Sequence, residues 1–152
     1  MHPFRYRLYL LLKLPAAFFS GIKVKYADES KAIVSVPFRW FTKNPFKSTY
    51  FACLSMAAEM STGILCMAHT YQKEPAISML VTKIEGTFIK KANKKTLFTC
   101  EEGNLIEQTV KEAMASGKSQ QVSCRTTGTS EEGELIAEFN VTWSFKVKAR
   151  EV

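Results

Sequence analysis

Residues 43–70, KNPFKSTYFACLSMAAEMSTGILCMAHT, carry one charge between Lys47 and His69, and it is Glu59. An acid among apolar residues is expensive to bury unless it is paired or hydrogen-bonded. No lysine, arginine or histidine stands three or four residues from Glu59, so nothing on its own helix can neutralise it. Its partner must come from another segment, an interface, water or a ligand. Burial without a cation raises a carboxyl pKa, and a carboxylate tuned upward suits general-base work near neutral pH. A water-bridged or interface-bridging acid without turnover fits the same residue. Asn44, upstream in TKNPF, can bond such a carboxylate or its water, or serve as ordinary turn chemistry before Pro45.

Other reactive groups are scattered. The four cysteines, Cys53, Cys66, Cys100 and Cys124, form no Cys-x-x-Cys pair, and only His2 and His69 can join them. Zinc spacing is absent, and no metal or cofactor is expected. Dispersed thiols in a chain of this size read as buried apolar groups of a reducing compartment, hence a cytoplasmic protein. Lys90, Lys91, Lys94 and Lys95 make the one local basic cluster; it either attracts phosphates or is a solvated turn that blunts a sheet edge. Met56, Met60, Met67 and Met79 fit an adaptable apolar lining and equally a plain core. The net charge of +7 favours anionic partners, but neither aromatic-basic interleaving nor a recognised motif points to nucleic acid.

The elements that must position these residues follow from periodicity. The 152 residues, 46% hydrophobic, fit a single domain with a full core, spanning 1–152. MHPFRYRLYLLLKLPAAFFSG has the basic-then-apolar order of a secretory signal, but Lys13 and Pro15 interrupt the run, and an amphipathic helix over 1–15 is expected. Ile22, Val24 and Tyr26 alternate with lysines as a strand does, ADES turns the chain, and a second strand runs from Ile33 to Trp40, with Pro37 marking an edge or bulge. A helix over 48–69 follows, capped by Ser48 or Thr49. Its apolar residues lie all round, so burial on every side is expected. Its length suffices for a membrane span, but Glu59, Ser55, Ser61 and Thr62 argue against one. AISMLVTKIEGTFIKKA and TLFTCEEG read as strands joined by ANKK. Asn104 to Gly117 reads as a short amphipathic helix, capped by Asn104. Two further strands, SQQVSCRTTGTS and ELIAEFNVTWSFKVKA, are joined by SEEGE. The last has a clean alternation with one buried face. The fold class is α+β: a curved antiparallel sheet wrapped around a long central apolar helix.

That order, with Asn44 before the long helix and Glu59 inside it, resembles the hotdog fold of acyl-CoA thioesterases. In the phenylacetate-degradation type, an Asn precedes His-Gly-Gly at the helix start. An Asp or Glu follows about two turns later, then a small residue or Gly. Asn44, Glu59 and Gly63 stand at matching places, and AAEMSTG looks like the acidic segment. Phe51-Ala52-Cys53 occupies the place of His-Gly-Gly, which resembles a divergent branch of the superfamily.

The resemblance implies thioester hydrolysis, with acyl-CoA or an acyl-carrier thioester as substrate. Glu59 is then general base or nucleophile, assisted by Asn44. The helix N-terminal amides of Phe51, Ala52 and Cys53 hold the oxyanion. Gly63, Met56 and Met60 line the substrate, and Lys90 and Lys91 attract the coenzyme phosphates. The resemblance also implies a homodimer, or a tetramer built from it, with each site at the subunit interface. A non-catalytic acyl-CoA or lipid binder on the same fold is the alternative.

Overall fold

The computed structural model describes residues 10–148. The helix expected over 1–15 lies largely outside the described residues. A helical turn over 10–13 breaks at Leu14, and a short helix α1, Pro15–Phe19, restarts with its proline in the first turn, where a missing N–H is harmless.

Six strands follow: β1 (Lys23–Ala27), β2 (Ala32–Val36), β3 (Ile77–Phe88), β4 (Thr96–Cys100), β5 (Gln120–Ser130) and β6 (Leu135–Val147). They form one antiparallel sheet in the order β1-β2-β4-β5-β6-β3. Helix α2 (Phe51–Thr70) lies in its curve, and α3 (Gly103–Ser116) packs on α2, β5 and β6. The alternation along β6 sends Ala137, Phe139, Val141, Trp143 and Phe145 inward, where they meet Phe98, Leu65 and Ile106 in the core. β3 is an edge strand: β6 pairs with one side of it, and its other side has no strand partner among the described residues.

Several boundaries differ from expectation for local reasons. β2 stops at Val36 and the chain turns through a 3-10 segment, Trp40–Thr42, because Thr42 is buried and bonds back to Pro37 and Arg39. Neither Ser48 nor Thr49 caps α2. Thr49 Oγ1 donates to the Ala92 carbonyl and Ser48 Oγ accepts from the Ala92 amide, so both are spent on the β3–β4 connection. Tyr50, extended at φ −60° and ψ 133°, is the N-cap, and no side chain caps the helix. α3 starts one residue before Asn104, at Gly103, where the Glu29 carbonyl comes so close that a Cβ would collide with it. Gly117 ends that helix in the left-handed region as expected.

Candidate functional site

Helix α2 is long and apolar enough to cross a membrane, but the sheet encloses most of it. Burial is not complete on every side. Phe51, Ser55, Glu59 and Met67, spaced four residues apart through Gly63, form a stripe that stays partly or fully exposed. The helix touches β3 near both its ends: the Phe51 ring meets Phe88 edge to face, and Thr70 Oγ1 reaches Met79 Sδ at 3.6 Å. The stripe therefore runs beside the free edge of the sheet.

Glu59 sits at its middle, half-buried. Among the described residues its carboxylate makes no hydrogen bond or ion pair. Burial alone pushes its carboxyl above the usual range. Gly63 and Trp143 pack beside it. A Cβ on Gly63 would lie 3.4 Å from Glu59 Oε1 and 3.2–3.3 Å from the Trp143 ring. Trp143 Nε1 donates to Thr62 Oγ1 at 2.9 Å, and Thr62 Oγ1 donates to the Glu59 carbonyl. The indole is thus fixed against the helix beside Gly63. Trp143 lies 84 positions from Glu59 in the chain; β6 periodicity marks it as inward-facing, but no local signal links it to the acid.

The other candidate residues divide. The Cys53 amide already donates to the Tyr50 carbonyl at 2.9 Å, while the Phe51 and Ala52 amides have no partner among the described residues. These two open donors lie at the positive end of α2. Cys53 is buried, its thiol 3.9 Å from Ser20 Oγ. Asn44 Oδ1 accepts the amides of Phe46 and Ser48 at 3.0 and 3.1 Å, organising its own loop. Met60 is core and Met56 packs partly buried against it. Lys90, Lys94 and Lys95 pair with Glu134, Glu132 and Glu131 across the strand tips, so that tip is largely charge-compensated. Lys91 has no carboxylate partner among the described residues; its Nζ is 3.5 Å from the Phe46 carbonyl.

Eight residues separate Phe51 from Glu59, a rise of about 12 Å, and the carboxylate lies beside Gly63, away from the helix N-terminus. One chain cannot set its own open amides and its own acid on the same carbonyl. Two cavities stand out. One, of about 210 Å³, lies between the strand tips and is lined by Asn93, Lys94, Thr96 and Glu132. The other, of about 310 Å³, lies at the α2 C-terminus between Met67, Tyr71, Ile77 and Met79. Glu59 lines neither. No group of three His, Cys, Asp or Glu among the described residues is placed to hold a metal ion.

The architecture matches known structures over nearly its full length. A Pseudomonas aeruginosa protein of unknown function, described as a "Probable Thioesterase", superposes with a TM-score of 0.81 at 20% identity, over 96% of this chain and 97% of its own. A thioesterase from Haemophilus influenzae matches with a TM-score of 0.65 at 14% identity, covering 95% and 92%. A Chlorobaculum tepidum protein of unknown function matches at 0.76 and 15%, covering 96% and 94%. No family model and no curated protein sequence matches the chain. At identities this low the likeness establishes the fold, and the fold is the hotdog: a curved six-stranded antiparallel sheet around a long apolar helix.

Proposed function

We propose that the protein is a thioester hydrolase acting on acyl-CoA or an acyl-carrier thioester in a reducing, cytoplasmic setting. The observation that carries this is Glu59: a half-buried carboxylate with a raised pKa and no partner among the described residues, on the exposed stripe of the central helix. It takes a proton from a water that attacks the thioester carbonyl, the C–S bond breaks, and the proton passes to the departing thiolate, leaving a carboxylic acid and a thiol. Alternatively it attacks that carbonyl itself, expelling the thiolate and forming an acyl anhydride, which a water then hydrolyses to the carboxylic acid and the free carboxylate while the thiolate takes up the released proton. A thioesterase of Staphylococcus aureus, also similar in fold, exists as alanine variants of a Gln and a Glu fifteen positions apart. Asn44 and Glu59 have the same spacing.

The oxyanion donors come from a second copy. Two chains joined along β3 bury the half-exposed Ile84 and Phe88 and the α2 stripe, and set the Phe51 and Ala52 amides of one copy toward Glu59 of the other. The acyl chain lies along Gly63, Met56 and the interface; Lys91, which has no carboxylate partner among the described residues, meets the coenzyme phosphates. The test is hydrolysis of a chain-length panel of acyl-CoAs by wild type and Glu59→Ala. Loss of about a hundredfold or more in the variant is expected for a general base; equal rates would remove Glu59 from the reaction.

Phe51 in place of a histidine favours a second reading, a binder that holds acyl-CoA without turnover. Tight binding with no thiol released by wild type would select it.

A further inference from the structure

The loop between β2 and α2 displays three large rings to solvent. Trp40 is 86% exposed, Phe46 74% and Phe41 55%. Scattered apolar side chains on a surface are ordinary, but three within seven residues of one braced loop are not. The loop is held rigidly from beneath. Thr42 Oγ1 donates to the Pro37 carbonyl at 2.6 Å, Asn44 caps two loop amides, Lys43 bridges to Thr49, and Thr49 is tied to Ala92. These bonds keep the rings from folding back onto the core. Arg39, Lys43 and Lys47, all exposed, interleave with them, and none has a carboxylate partner among the described residues. From Lys31 to Ala58 the chain holds no Asp or Glu. Arg39 also donates to the backbone carbonyl of Phe19, another residue with an exposed side chain. Aromatic-basic interleaving is therefore present at residues 39–47; its meaning depends on which way the rings face, and only the structure shows that.

Rings with cations between them and no acid suit the boundary of an anionic bilayer. Trp and Phe partition into the headgroup region, while Lys and Arg remain at phosphate level. A single-stranded nucleic acid asks instead for a groove with rings set face up for bases. Here Trp40 and Phe41 are tilted by 59° and neither cavity is lined by the loop. We propose that the 39–47 loop docks the protein on membrane surfaces carrying anionic lipid, with Trp40, Phe41 and Phe46 entering the interface and Arg39, Lys43 and Lys47 meeting the headgroup phosphates. This surface is independent of the hydrolase reading and would survive its failure.

The two tryptophans make the full chain its own reporter. Trp143 is buried and bonded to Thr62, so a change in emission on adding vesicles comes from Trp40. Vesicles of phosphatidylcholine with about a quarter phosphatidylserine should shift the emission to the blue and carry the protein down on sedimentation, and salt should reverse both. Each lysine is worth about fivefold in partitioning, so Lys43→Gln with Lys47→Gln weakens binding about 25-fold. Trp40→Ser with Phe46→Ser should abolish sedimentation while the thermal transition persists. No shift and no sedimentation would overturn the proposal. So would equal binding to pure phosphatidylcholine. An emission that is blue without vesicles and reddens on dilution would assign the loop to a second copy instead. A salt-sensitive gel shift with single-stranded RNA, without vesicle binding, would assign it to nucleic acid.

Discussion

Replacing Gly63 with alanine sets two effects of opposite sign against each other. In a helix interior, alanine is favoured over glycine by about 1 kcal/mol. Against this, the new methyl would lie 3.2 and 3.3 Å from two carbons of the Trp143 ring and 3.4 Å from Glu59 Oε1. Contacts that close require the neighbour to retreat by a few tenths of an ångström. Trp143 cannot readily do so: it is 4% exposed, and its Nε1 is tied to Thr62 at 2.9 Å. Overpacking a fixed core site costs about 1–3 kcal/mol. The balance is a net destabilisation of about 1 kcal/mol, and for a chain of this size each kcal/mol moves Tm by about 2–4 °C. A thermal melt should therefore show Gly63→Ala melting about 3 °C below wild type, with an altered near-ultraviolet tryptophan signal. Hydrolysis should fall as well, because the methyl displaces the carboxylate. A Tm about 3 °C above wild type, the propensity effect alone, would refute the reasoning: the indole would then be free to move, and the pocket around Glu59 would not be rigid.

Thr96 is fully buried and its hydroxyl has no partner among the described residues, so Thr96→Val removes an unsatisfied group at nearly constant shape. A gain of about 1 kcal/mol, read as a Tm rise of about 3 °C, is expected, and a fall would show that the hydroxyl is satisfied. The buried thiols should be inert in the folded protein: burial pushes Cys100 up to about 12, and burial with the neighbouring Cys124 thiol raises Cys66 further. An aromatic disulfide reagent near pH 8 should leave both unmodified until denaturant is added; rapid reaction of either in the native state contradicts this. Glu59 binds its proton more tightly folded than unfolded, so its ionisation removes stability as pH rises above the ordinary glutamate value of about 4.3. The loss is complete above the raised folded pKa. Glu59→Gln should therefore melt above wild type at pH 7 and level with it near pH 3.5; no difference at neutral pH would place the acid in water.

Much of the fold was legible because sheet and helix periods are written residue by residue. The alternation of Phe139, Val141, Trp143 and Phe145 assigns the inner face of β6, and the turn residues and Gly117 punctuate the chain where the structure breaks it. Glu59 was legible as the one charge in an apolar helix. What surrounds it was not, since Trp143 comes beside Gly63 and Glu59 only through tertiary packing. The helix start was misplaced because Ser48 and Thr49 look like caps, yet the β3–β4 connection draws their hydroxyls away. Complete burial of α2 was expected from composition; a single chain leaves its Glu59 stripe open beside the β3 edge because six strands do not close around it.

The central claim is that Glu59 of one copy works with helix-terminal amides of another, and mixed dimers test it directly. Phe51→Pro deletes one donor at the first helical position, which accepts proline well after an extended Tyr50. Phe51→Ala, which keeps the amide, controls for the lost ring. Phe51→Pro and Glu59→Gln should each be nearly inactive alone, by about a hundredfold or more. After equimolar unfolding and refolding together, half the dimers are mixed and each holds one intact site, so about a quarter of wild-type acyl-CoA hydrolysis should return. A mixture no more active than its two components would contradict a site shared between copies.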